Sequence, residues 1–394
     1  MSAWGQLRGW CLLRIARPQP GQAFVPQIDG LRFVAILAVL LYHMQGFVEA
    51  NGDMQGIRAR DALHTLMSTG YFGVPLFFAI SGYIIARPFL GEQGVSLRRY
   101  FVRRLTRLEP PYFINLLLIF VLKVWFLNAA FPELLPHLLA SLVYAHGPIY
   151  GTHSEVNGVA WSLEIEWQFY LLAPFALAAL TRATGALRHC LLAAAILLGG
   201  WAFQMASEVS PRVSLSLLCY FGFFLAGVWV ALLDHEGRFK QVRGATFDAI
   251  ALLASFLILA VLLAGKGAPP LLPLLTFLLV IGSLRGRWVG RFLGWWPIHC
   301  VGAMCYTIYL YHFFVISALG RTVLTVLPSS LPESAVLPVF ALAVVPLTLV
   351  ACALPYLLIE RPFMVWRPGQ TRLRDAFRYF GSPTAASSSS SGRS

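Results

Sequence analysis

The sequence predicts an all-α, polytopic membrane protein of about ten spanning helices with both termini in the cytoplasm. Three observations carry that expectation. Of 394 residues, 58% are hydrophobic and only 12% are charged, too little polar surface to cover a water-soluble fold of this size. The apolar residues also fall into runs long enough to cross a hydrocarbon core of about 30 Å, which takes roughly 17–25 helical residues. These runs lie at about 32–49, 71–90, 111–128, 166–181, 188–205, 215–233, 247–264, 268–283, 301–319 and 334–358, boundaries good to a few residues. Lastly, Lys and Arg are unevenly shared between alternate loops. With the N-terminus inside, the cytoplasmic segments hold 22 of them, against Arg58, Arg60, Arg212, Lys266 and Arg321 on the other side. That bias satisfies the positive-inside rule in every loop pair and requires an even number of spans.

The same inventory excludes other classes. The net charge of +13 is mainly a topology signal, with attraction to anionic lipid headgroups as its by-product, so nucleic acid is not expected as a partner. Cys11, Cys190, Cys219, Cys300, Cys305 and Cys352 are scattered, with no C-x-x-C or Cys/His cluster, which argues against a zinc site or a disulfide framework. The first apolar run starts too late for a signal peptide and lacks a small-residue cleavage site. The run at 134–145 is too short to span and reads as an interfacial or re-entrant helix. The chain therefore divides into a cytoplasmic N-terminal segment (1–27), a transmembrane domain (28–366) and a cytoplasmic tail (367–394) whose Ser/Gly-rich end is expected to be disordered.

Several segments carry residues that apolar surroundings do not explain. Arg32 and His43 are eleven residues apart. At 100° per residue that is about 1100°, within about 20° of three full turns, so both lie on one stripe about 16 Å apart along the axis. Arg32 then sits at the cytoplasmic edge and His43 about halfway across. An ionisable side chain at that depth faces a cavity or a partner and marks a functional site; the alternative is a neutral histidine bonded to a neighbouring helix. In Gly73–Tyr83, small residues and Pro75 suit close helix approach or a backbone-lined cavity. Ser81 is not in a G-x-S-x-G elbow and is assigned to packing. Arg98, Arg99, Arg103, Arg104 and Arg107 crowd one stretch. Arg104 and Arg107, three apart, share a helical face and offer paired forks to phosphate oxygens, or the cluster serves only as a positive-inside anchor. Glu164 and Glu166 lie in a Trp-framed stretch at the outer mouth of a span, where Glu166 enters the membrane and needs a partner. His312 is a second intramembrane histidine, and Glu360–Arg361 at the last helix end is read as structural.

In this order the segments resemble the acyltransferase-3 family of membrane O-acyltransferases, from about Ile28 to Phe363. The resemblance rests on Asp29-Gly30-Leu31-Arg32, the basic-x10-His spacing of Arg32 and His43, and G-V-P-L-F-F-A-I-S-G-Y from Gly73. It continues with R-x-x-R before a proline (Arg104, Arg107, Pro110), W-S-L-x-x-E ending at Glu166, and Y-T-I-Y-L-Y-H ending at His312. Each motif is weak alone; all of them in register are specific. The resemblance implies transfer of an acyl group, most often acetyl, from cytoplasmic acyl-CoA to a hydroxyl of a carbohydrate or lipid-linked glycan, without a metal, in the bacterial inner (plasma) membrane. Some family members add a periplasmic hydrolase-like domain after the helices. This sequence shows none, and transfer that relies on one is not expected.

The residues and the resemblance agree on a geometry. Arg32, Arg104 and Arg107 hold the nucleotide of acetyl-CoA or another acyl-CoA at the cytoplasmic face, and the pantetheine arm runs along the stripe towards His43. Histidine, with a reference pKa near 6.5, serves as a general base at neutral pH. Direct attack in a ternary complex is expected, with a covalent path through His43 as the alternative. Glu166, expected opposite the arginine cluster, would orient His43 as a triad acid does if the two approach; otherwise it favours the helix start electrostatically. The rival class is a proton-coupled secondary transporter, which also uses intramembrane His and Glu. It is disfavoured because no paired broken helices occur in corresponding halves. A non-catalytic scaffold would have no need of His43.

Overall fold

The computed structural model describes residues 3–17, 25–51, 62–91, 95–238, 244–265, 270–328 and 331–366. The tail expected to be disordered lies outside them. Every apolar run forms a helix: α1 (Ala3–Arg14) precedes α2 (Pro26–Asn51), α3 (Gly73–Leu90), α4 (Leu97–Phe126), α5 (Phe131–Leu142), α6 (Trp161–Arg182), α7 (Gly185–Val209), α8 (Leu217–His235), α9 (Ala245–Ala264), α10 (Leu272–Arg285), α11 (Cys305–Val326) and α12 (Glu333–Pro355). Among the described residues there is no β-strand, and nine helices are long and apolar enough to cross a membrane. The protein is an integral membrane protein. The tenth expected span, α10, is apolar but has only 14 residues. Its entry turn is folded inward against α7, where a Cβ on Gly200 would lie 1.8 Å from the carbonyl oxygen of Pro270.

The glycines of the predicted packing motif close the core. A Cβ on Gly82 of α3 would meet the carbonyl oxygen of Phe224 at 2.0 Å, and one on Gly227 of α8 would meet that of Ala79 at 1.8 Å. Helices without a hydrophobic drive between them associate through such small-residue crossings. Phe224 also stacks on Phe78 (4.7 Å) and Phe169 (4.1 Å), which draws α6 onto the same seam. We expect Gly227→Leu to destabilise by the upper end of the roughly 1–3 kcal/mol typical of overpacking. Gly46→Ala, with nothing within 4 Å of its Cβ, should leave the melting temperature in detergent unchanged. Equal melting of both variants would refute the crossing as a stability determinant.

Two inward excursions between α4 and α6 set the depth of the site. Helix α5 runs back along α4: Phe131 packs on Phe120 (5.6 Å), and the Tyr112 hydroxyl donates to the Ser141 carbonyl (3.0 Å). Tyr144, just beyond α5, stacks on Tyr112 (4.8 Å) and donates to Glu109 (2.9 Å). The 134–145 run is thus re-entrant. After rising to where Lys123 Nζ donates to the Glu155 carbonyl (2.5 Å), the chain turns inward a second time. Asn157 Nδ2 there donates to Asn115 Oδ1 (2.8 Å) and the Leu310 carbonyl (3.1 Å). Irregular backbone at membrane depth must find partners within the protein. Ser154 Oγ accepts from Val156 N (3.3 Å), and Asn157 Oδ1 accepts from Val159 N (3.3 Å). Helix α6 consequently begins deep in the bundle.

Candidate active site

A cleft with about 720 Å³ of space free of protein atoms lies among α2, α3, α4, α6 and α11. One end is lined by Arg17, Arg32, Arg104 and Arg107. Of the arginine-rich start of α4, Arg98, Arg99 and Arg103 are exposed, whereas Arg104 and Arg107 turn inward. The i,i+3 pair thus shares a face, as its spacing predicts. The Arg104 guanidinium lies over the rings of Tyr170 (5.3 Å) and Tyr100 (5.8 Å), a cation–π arrangement that holds it without consuming its N–H donors. Arg107 Nε is buried and has no hydrogen-bond partner among the described residues. Asp29 Oδ1 lies 3.1 Å from Arg17 Nε and 2.5 Å from Arg32 Nη1, so the aspartate of the first motif clamps two guanidinium groups at the cleft. Glu360 is buried and accepts from Thr307 N (3.1 Å) and Thr307 Oγ1 (2.6 Å), which ties the end of the last span to α11.

Glu166 is not where the sequence suggests. Instead of standing opposite the arginines, it lines the same cleft, where Oε1 accepts from the Ser81 and Tyr170 hydroxyls. The deep start of α6 is the reason: a residue one turn into that helix already reaches the level of Arg104. Ser81, assigned to packing, therefore also faces the cleft. Tyr170 couples Glu166 to the guanidinium above its ring.

His43 stands apart from this carboxylate. Its ring packs against His312 (centroids 5.0 Å), Phe313 (5.4 Å) and Tyr42 (5.1 Å). His312 in turn neighbours Tyr309 (5.7 Å), which lines the cleft and bonds Ser162 through the two hydroxyls (2.6 Å). Arg32 faces the cleft beside Cys305 while His43 meets His312, so both look towards α11, as an eleven-residue stripe requires. The structure thus gathers Arg32, Arg104, Arg107 and Glu166 in one cleft and sets His43 beyond Tyr309 and His312. Arg17, Ser162, Tyr170 and Tyr309 escaped the sequence reading. Tyr170 carried a signal, being four residues after Glu166 on one helical face. Arg17 carried none, since an arginine before a first span reads as a topology charge. No group of three or more His, Cys, Asp or Glu that would hold a metal occurs among the described residues.

Comparisons with known proteins place the chain in a family. A family profile described as an acyltransferase domain matches residues 25–357. A peptidoglycan O-acetyltransferase of Listeria monocytogenes is 32% identical over 170 residues, 38% of this chain and 24% of that protein. A Bacillus subtilis protein whose name provisionally assigns it to peptidoglycan O-acetylation is 28% identical over 335 residues, 74% of this chain and 49% of that protein. A Staphylococcus aureus protein provisionally named an O-acetyltransferase is 24% identical over 395 residues, 88% of this chain and 59% of that one. The chain spans between about a quarter and three fifths of the length of these relatives. No solved structure matches.

Proposed function

Since the chain belongs to the acyltransferase-3 family, whose profile accounts for most of its length, we propose that it transfers an acetyl group from cytoplasmic acetyl-CoA to a hydroxyl of an envelope glycan. The observation that carries this reading is the convergence of Arg17, Arg32, Arg104 and Arg107 on one cleft, with His43 packed behind the cleft-lining Tyr309 through His312. Guanidinium forks bind phosphate oxygens bidentately, which suits the nucleotide end of coenzyme A with both chain termini on the cytoplasmic side. The acyl-pantetheine arm follows the cleft towards Ser162 and Tyr309. Beyond these residues, beside His43, the acceptor oxygen attacks the thioester carbonyl while His43 takes its proton; the C–S bond breaks, and the imidazolium returns the proton to the departing thiolate. Glu166 enters this reading through Ser81 and Tyr170, holding the ring beneath Arg104, and not as the partner of His43. The relative named for peptidoglycan makes a cell-wall sugar hydroxyl the first acceptor class to try.

The test is direct. Purified protein is incubated with isotope-labelled acetyl-CoA and peptidoglycan fragments or lipid-linked glycans, and products are examined for labelled ester by mass spectrometry. Labelled ester that requires the protein is expected. Its absence from every glycan, together with solute uptake driven by a pH gradient in proteoliposomes, would overturn the enzyme in favour of the transporter.

A further inference from the structure

The histidine beside His43 has an unusual set of partners. His312 is fully buried. Its Nδ1 lies 2.7 Å from the carbonyl oxygen of Tyr309 and 3.2 Å from that of Ile308. Carbonyl oxygens only accept, so Nδ1 carries the ring proton and the tautomer is fixed by the backbone of α11. Nε2 is then a bare lone pair. It too is buried, and it has no hydrogen-bond partner among the described residues. A buried acceptor without a donor is costly and calls for an explanation. Tyr309 does not supply one, because its hydroxyl is engaged with Ser162 (2.6 Å) and the Val159 carbonyl (3.2 Å). The polar ring packed on His312 is His43, tilted 48° to it.

We infer that His312 is a positioning residue: its Nε2, unpartnered among the described residues, takes up the N–H of His43 when the acceptor binds and so leaves the other nitrogen of His43 as the base presented to the acceptor hydroxyl. The inference rests on the reading of His43 as that base. It gives a neutral ring the orienting task that a carboxylate performs in a hydrolase triad. A neutral ring fixes the tautomer without burying an anion in an apolar interior. The proton count closes within His43. The hydroxyl proton arrives on the free nitrogen, the N–H to His312 stays in place, and the arriving proton leaves with the thiolate of coenzyme A.

The experiment uses the full-length protein in lipid nanodiscs, with acetyl transfer and labelled acetyl-CoA binding measured on the same preparation. His312→Phe, which keeps a ring but no acceptor, should lower kcat about ten- to a hundredfold, the loss of one buried hydrogen bond. The donor KM should stay within about twofold, since ground-state binding is untouched. His312→Gln, which donates towards the Tyr309 carbonyl and offers an oxygen to His43, should recover most of the rate. Nitrogen-15 spectra of histidine-labelled wild-type protein should show one ring protonated at Nδ1 and bare at Nε2 that is lost in His312→Gln. That measurement decides even if His312→Phe does not fold. Wild-type kcat in a folded His312→Phe, or the His312 ring protonated at Nε2, would overturn the inference while an inactive His43→Ala left the base intact. An active His43→Ala would instead overturn the underlying reading of the base.

Discussion

Replacing His43 with alanine lowers acyl transfer by about 10²–10⁴-fold, the usual worth of a general base, while fold and donor affinity persist. Persistence of the fold follows from packing. His43 is only half-buried; of its neighbours, Phe313 is itself exposed and Tyr42 also packs on Tyr71. Donor affinity persists because the arginines that hold the nucleotide act from Arg32, about 16 Å away along α2. Loss of turnover without loss of binding separates a proton-transfer role from packing glue. Turnover and labelled acetyl-CoA binding, measured on one preparation with its melting temperature, provide the check. A stable His43→Ala protein with near wild-type turnover would remove the residue from the mechanism.

Arg104→Ala and Arg107→Ala are expected to act on the other end of the reaction. A charge-assisted hydrogen bond to phosphate contributes about 1.5–3 kcal/mol, so each change should weaken acetyl-CoA roughly ten- to a hundredfold. Arg107 should be the more sensitive, because its buried Nε has no other partner among the described residues. Arg104 retains a stacking role over Tyr170 and Tyr100. Lysine should rescue poorly at both positions, since a point charge does not reproduce a planar fork. Exposed Arg103 serves as the control, and Arg103→Ala should leave donor binding unaltered. Acetyl-pantetheine, which lacks the nucleotide, reports specificity: if both arginine variants lose it as severely as acetyl-CoA, the arginines are anchors and the donor is held elsewhere.

Much of this was legible in the sequence because membrane spans are the simplest pattern a chain can carry. Apolar length gave the helices; periodicity gave the shared face of Arg104 and Arg107 and the common direction of Arg32 and His43. The misplacement of Glu166 has a specific cause. Hydropathy locates where a helix is apolar and says nothing of how far inside the bundle it starts. The start of α6 is fixed by two hydrogen bonds from one side-chain amide, Asn157 to Asn115 and to the Leu310 carbonyl, partners distant in sequence. The run at 268–283 did form α10, but its helix begins only at Leu272, after an entry turn that packs against a glycine on another helix. Arg17 was hidden because its role is set by Asp29, reached only once the N-terminal segment folds back.

The inward course of the chain between α4 and α6 changes what the bilayer is at this point. Tyr144 reaches Glu109, only two residues past Arg107, and Asn157 reaches Leu310, about 7.5 Å along α11 from Cys305, which lines the arginine cleft. The two excursions therefore bring their backbone within about two helical turns of the arginine-lined cleft. In the proposed reaction, with acetyl-CoA entering at the arginines and the glycan from the other face, neither substrate would have to cross the full hydrocarbon thickness of about 30 Å. Each would travel part of the way and meet the other close to Tyr309.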